Sequence, residues 1–215
     1  MKAILTDDFE TPLGIIHNCI ETDTDNIKEV SPLTFITAAH RIFLQTLNLK
    51  DFNIPIAAAC ETVKCWRWFI DKINNEQEQL VISSKLNNPS SGASFSSSSG
   101  EHLDAIEIEN EKYHLHIGTE DGEIMQHRAE VNDWMPERFK NEINIGISFT
   151  QYIDFGFKTI VPHLHEGEKI YFHFIAASNP IMPSKYYPDE RNVSNWLAVE
   201  QSKRILDELA EEKFH

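Results

Sequence analysis

Leu103-Asp104-Ala105-Ile106-Glu107-Ile108-Glu109, then Asn110-Glu111, then Lys112-Tyr113-His114-Leu115-His116-Ile117-Gly118, is the passage on which the fold class turns. On both sides of Asn110-Glu111 apolar and polar residues alternate, and a period of two places successive side chains on opposite faces of a strand. A two-residue turn at Asn110-Glu111 sets Ile108 opposite Tyr113 and Ile106 opposite Leu115, while Glu109 falls beside Lys112 and Glu107 beside His114. One apolar face and one charged face describe a half-buried antiparallel hairpin.

The same alternation returns in Ile143 to Phe149, in Ile153, Phe155, Phe157, Thr159 and Val161, and in Ile170, Phe172 and Phe174. Short apolar runs at Ala3 to Leu5 and Gly14 to Ile20, separated by turn-prone Asp7, Asp8 and Pro12, read as a further strand pair. An antiparallel sheet of about five or six strands is the expectation.

Upstream of about residue 78 the spacing reads as helical. Ser31 caps and Pro32 opens one helix, with Leu33, Ile36, Ala39, Phe43 and Leu47 on one face. A second helix, from Asn53 and Pro55 to Ile73, carries Ala59, Val63, Trp66 and Ile70, so the two form an N-terminal helical hairpin. A short helix is expected near Asp133 to Phe139, and a closing one from Val193 to Glu212 with Val199, Ser202, Leu206 and Leu209 facing inward. Residues 83–100, rich in Ser, Gly, Asn and Pro, read as a mobile loop that buries too little to offset ordering. The expected fold class is α+β, with residues 1–215 forming a single domain of one antiparallel sheet packed by the helical hairpin and the C-terminal helix.

Charge narrows the function. The 215 residues carry a formal net charge of -15 and a pI near 5.0, which argues against nucleic acid and anionic membranes as partners because both select positive charge. No apolar run reaches the length of a membrane-spanning helix, and the N-terminus turns acidic before any apolar stretch of signal-peptide length. Cys19, Cys60 and Cys65 lack metal-knuckle spacing and cannot all pair, so a reducing cytoplasm is expected. Cys60 and Cys65 read as core thiols, and Cys19 beside His17 as a formal Cys and His pair on a strand.

Two His-x-His pairs stand out, His114 with His116 and His163 with His165. Residues two apart on a strand point the same way, so either pair offers two imidazoles to one metal ion. For the first pair the plainer reading is a solvated contact between Glu107 and His114 on the outer face. For the second, Gly156 precedes the pair, Glu166 and Glu168 follow it, and His173 lies on the next expected strand. Glycine, His-x-His and then glutamate resembles the first metal motif of the cupin family. One residue too many separates Gly156 from His163, Glu168 comes a residue early, and Gly167 interrupts the strand. The resemblance implies one divalent transition metal held by His163, His165, Glu168 and His173.

Acid distribution supplies the main functional expectation. Glu101, Asp104, Glu107, Glu109, Glu111, Glu120, Asp121 and Glu123 face only Lys112 between residues 101 and 123, a net of -7. Acids crowded on the outer face of a hairpin steer a basic protein partner. Glu107, Glu109, Glu120, Asp121 and Glu123 are the candidate contacts, joined by Tyr186 and Tyr187 in a Pro- and Tyr-rich loop. A non-catalytic interaction protein, such as an immunity or inhibitor protein, is expected without a cofactor, and a cupin-like metal-dependent enzyme is the alternative.

Overall fold

The computed structural model describes residues 2–52, 54–100, 103–131, 134–141, 149–181 and 195–213. The described residues are mostly β, with 54% strand against 19% helix. Five strands come first: β1 (Lys2–Thr11), β2 (Gly14–Thr22), β3 (Lys28–Ser31), β4 (Thr34–Ile36) and β5 (His40–Leu47). Helix α1 (Pro55–Ala59) precedes β6 (Thr62–Lys72), β7 (Leu80–Asn87), β8 (Ser94–Gly100), β9 (Leu103–Glu109) and β10 (Tyr113–Glu120). Helix α2 (Gly122–Val131) follows, then β11 (Thr150–Ile153), β12 (Gly156–Ile160), β13 (Lys169–Pro180) and helix α3 (Asn195–Lys213).

Two antiparallel sheets result, one of five strands ordered β1-β2-β7-β12-β11 and one of eight ordered β3-β4-β5-β6-β13-β10-β9-β8. Their facing sides share one core: Ile16, Ile20, Ile82 and Phe157 from the small sheet meet Trp66, Trp68, Ile106, Leu115, Ile117, Phe172 and Phe174 from the large one. A smaller core lies on the opposite side of the large sheet, where Val63, Cys65, Leu103, Ile175 and Ala177 pack against Ala57 of α1 and Ala198, Val199 and Leu206 of α3. Gly118 on β10 permits that contact, since a Cβ there would sit 2.4 Å from Val199 Cγ1.

The expected N-terminal helical hairpin is absent, and the α+β assignment gives way to a two-sheet β fold. Ser31 and Pro32 do not cap a helix: Ser31 pairs with Thr34 across a Pro32-Leu33 turn in which Leu33 adopts φ 57°. The second expected helix is α1 followed by β6, a strand buried on both faces, so alternation is hidden by apolar and packed residues on each side. Residues 83–100 form the end of β7 and the whole of β8 rather than a loop. Strand β8 leaves Ser94, Ser96, Ser97 and Ser99 exposed and is held by backbone pairing to β9, which an argument from side-chain burial alone overlooks.

Elsewhere the expectations fare differently. Strands β1 and β2 pair as expected, and Val199, Ser202 and Leu206 of α3 are fully buried. The alternation at 153–161 is broken by a turn at Asp154-Phe155 that makes two strands of one. Helix α2 was not anticipated, and the short helix expected at 133–139 is a 3-10 turn at Glu137–Asn141. Ile143 to Ser148 lies outside the described residues.

The β9–β10 hairpin forms with a corrected register. Ile108 pairs with Leu115 and Glu107 with His116, because the two-residue turn is Glu111-Lys112. Asn110 fixes it, its Oδ1 accepting from the backbone N–H groups of Lys112 at 2.8 Å and Tyr113 at 2.9 Å. Moving the turn by one residue slides the pairing by two, so both faces keep their composition.

Candidate functional site

The face of β9 and β10 that carries Glu107, His114 and His116 is not open to water. Helix α3 lies over it: the Asn195 Nδ2 amide donates to the His114 carbonyl at 2.9 Å, and the Trp196 ring stands edge-on to the His116 ring with centroids 6.2 Å apart. His114 and His116 are 1% and 5% exposed, while Glu107 is half-buried. The solvated reading of Glu107 and His114 is therefore overturned. Strand geometry puts both imidazoles on one side, and the corrected register sets Glu107 directly across from His116. One ligand atom from each of Glu107, His114 and His116 lies within 4.8 Å of the other two. Tetrahedral ligation at ordinary Zn–N and Zn–O lengths spaces donors roughly 3.4 Å apart, so the three atoms are near ligating separation but not at it.

The second His-x-His pair assembles only in part: His165 Nδ1 lies 3.8 Å from Glu168 Oε1, but His173 does not join them. His163 and His165 are exposed beyond β12. Glu168 is held by Arg138 through Nε at 2.8 Å and Nη2 at 2.7 Å, and it also accepts the His165 backbone N–H at 2.6 Å. The Arg138 hydrogen bond outranks burial in holding the Glu168 carboxyl below its ordinary pKa. His173 points elsewhere, fully buried on the outer face of β13 and within 2.9 Å of Glu120 Oε1.

Glu120, expected as a docking acid, belongs instead to a buried charge network. It is 3% exposed, with Oε1 accepting from Arg128 Nη1 at 2.8 Å and Oε2 accepting from the His173 backbone N–H at 3.0 Å. Burial alone pushes this carboxyl up, but His173 and Arg128 outweigh it and hold the group well below the usual carboxylate range. The network continues through the Tyr171 hydroxyl, 2.9 Å from His173 Nδ1, to Arg67 Nε at 3.1 Å. Asp121 caps α2, its Oδ1 accepting from the Ile124 N–H at 3.0 Å. Glu107 and Glu109 are half-buried and Glu123 is exposed. Tyr186 and Tyr187 lie outside the described residues.

The cysteines carry no activated nucleophile. Cys60 and Cys65 are buried as expected, though at the end of α1 and on β6 rather than on a shared helix. Burial pushes the Cys60 and Cys19 thiols up, and His17 is engaged with Asp8 at 2.8 Å. None of the three forms a disulfide.

Reading 53–73 as helix also concealed Arg67, Phe69 and Asp71, which alternate on the outer face of β6 opposite Gln45, Phe43 and Arg41 of β5. The available signal was the charge at Arg67 and Asp71, four apart on one side of a run otherwise rich in aromatic residues. Among the described residues no helix is long and apolar enough to cross a membrane. The fold and the site together define an antiparallel β-sandwich with a histidine and carboxylate cluster beneath its C-terminal helix. No family model, curated protein or solved structure matches the chain, so the cupin resemblance gains no support from likeness.

Proposed function

We propose that this protein binds one divalent transition metal ion through Glu107, His114 and His116. The observation that carries the reading is the convergence of three ligand atoms within 4.8 Å on two paired strands. Two imidazoles and one carboxylate suit zinc and its first-row neighbours, and three protein ligands leave a coordination position for water or a substrate atom. The proposal places the protein in the cytoplasm, where thiols stay reduced, in keeping with three cysteines that form no disulfide.

Protein purified without an affinity tag should titrate with zinc chloride to one equivalent and melt at a higher temperature when loaded. His116→Ala and Glu107→Gln should each weaken binding by more than about 100-fold, beyond what loss of an outer-shell partner costs. Zinc uptake that both variants retain, or no stoichiometric uptake by the parent protein, refutes the reading.

A second reading, a basic protein partner, is favoured by half-buried Glu107 and Glu109 and exposed Glu111 and Glu123 on a chain of net charge -15. In this reading the protein is a non-catalytic immunity or inhibitor protein. Association with a partner recovered by affinity capture should slow steeply between low and physiological salt, and Glu109→Lys with Glu123→Lys should slow it further. An on-rate indifferent to both removes this reading while leaving the metal site untouched.

A further inference from the structure

Strands β5 and β6 present three cross-strand pairs on the outer face of the large sheet: Arg41 with Asp71, Phe43 with Phe69, and Gln45 with Arg67. These six residues and Trp134 line a cavity of about 250 Å³, below the size of a drug-binding pocket and suited to a small ligand. Its floor is a ladder of rings. Phe43 stacks on Phe69 with centroids 5.9 Å apart, Phe69 stacks on Tyr171 at 4.9 Å, and Trp134 meets Phe69 edge-on at 5.2 Å.

Arg67 is the anomaly in this arrangement. It is 1% exposed, yet its partners are neutral: Nε donates to the Tyr171 hydroxyl at 3.1 Å, Nη1 donates to Gln45 Oε1 at 3.1 Å, and the guanidinium lies 5.1 Å from the Phe69 and Tyr171 ring centroids. Among the described residues no carboxylate lies within ion-pair distance of it, and its buried Nη2 has no hydrogen-bond partner. A guanidinium taken out of water without a counter-charge is costly, and an anion seated in the cavity that Arg67 lines offsets that cost. The surroundings favour an anion as well. Arg41 lies at the exposed rim, and Asp71, the acid of the lining, has Lys169 3.8 Å away. On a chain of net charge -15 this cavity is locally cationic.

We propose that the cavity is a binding site for a small aromatic monocarboxylate, its carboxylate beside the Arg67 guanidinium and its ring against Phe43, Phe69 and Trp134. Two directions of selection follow. The single unpartnered nitrogen of Arg67 suits one carboxylate rather than a polyphosphate, which calls for several donors. The ring ladder favours a flat body over an aliphatic acid.

Calorimetric titration at neutral pH with benzoate and indole-3-acetate tests this, with benzyl alcohol and acetate as probes lacking the charge or the ring. Both aromatic acids should bind at one site, and each control should bind more weakly by more than about tenfold. Phe43→Ala alters a side chain that is 43% exposed and leaves the fold intact, and it should weaken both acids. Arg67→Met should abolish the preference for benzoate over benzyl alcohol. Glu107→Gln, on the far side of β10, should change nothing, which separates this site from the metal site. The proposal is overturned if neither acid binds, if benzyl alcohol or acetate binds as well as the aromatic acids, or if Phe43→Ala leaves their affinity unchanged.

Discussion

Glu120→Ala lowers the stability of the protein by about 3–5 kcal/mol, read as a shift of the urea midpoint at pH 7. The carboxylate is enclosed by β10, β13 and α2, and its removal takes an ion-pair partner from Arg128, which is 6% exposed and also donates to the Tyr171 carbonyl at 3.0 Å. The His173 backbone N–H loses its acceptor in the same step, and Arg128 Nη1 loses the charged one of its acceptors. The cost is dominated by buried donors that lose an ionised acceptor. Glu120→Gln keeps the shape and one acceptor and should cost less, whereas Glu123→Ala, at an exposed position in the first turn of α2, should stay within about 0.5 kcal/mol. Equal effects at positions 120 and 123 would show that the network does not hold the sheet.

The second large effect is at Glu78, which joins the two sheets at one end. Its side chain is fully enclosed. Oε1 accepts from the hydroxyls of Thr22 and Thr24 at 2.6 Å each, and Oε2 accepts from the Thr37 hydroxyl at 2.5 Å and the Ala39 N–H at 3.0 Å. His40 Nδ1 lies 2.9 Å from the same oxygen. Thr22 ends β2 in the small sheet, while Thr37 to His40 form the turn into β5 of the large one. Glu78→Ala strands several buried donors at once and should cost about 3 kcal/mol or more.

The pH dependence follows from the same groups. Burial raises the Glu78 carboxyl, but the hydrogen bonds from His40 and the three threonines hold it well below the usual range, as His173 and Arg128 do for Glu120. Both pKa values are depressed in the folded state, so the unfolded chain binds protons first as pH falls through about 4.3. The stabilisation is complete above that value and drains away below it. Urea midpoints measured from pH 7 to pH 3 should fall steeply in the acid half, and Glu78→Gln should remove about one proton from the slope. A flat profile between pH 5 and pH 3 contradicts the assignment.

The hairpin at 103–120 was legible because β9 and β10 have chemically unlike faces, and a two-residue slip in register leaves such faces unchanged. Strand β6 was not. Trp66, Trp68 and Ile70 point into the main core while Cys65, Arg67 and Phe69 are buried on the other side, and double burial erases the alternation that distinguishes strand from helix. The His114 and His116 pair was visible as a chemical possibility, but its burial depends on α3, which begins 79 residues after His116.

Alternating side chains, the acid excess and the turn residues are local properties, and from them alone follow the central antiparallel hairpin, the β1–β2 pair, the C-terminal helix and the negative charge of the chain. Which acids face water is not local. Glu120 and Glu123 are near neighbours of the same chemical type, and only the approach of Arg128 and His173 buries one and leaves the other exposed. Likewise Arg67 becomes an uncompensated cation, and Glu107 a neighbour of two imidazoles, only when strands distant in sequence pair. Hydrogen bonding across a sheet and burial beneath a helix act between residues the chain itself keeps apart.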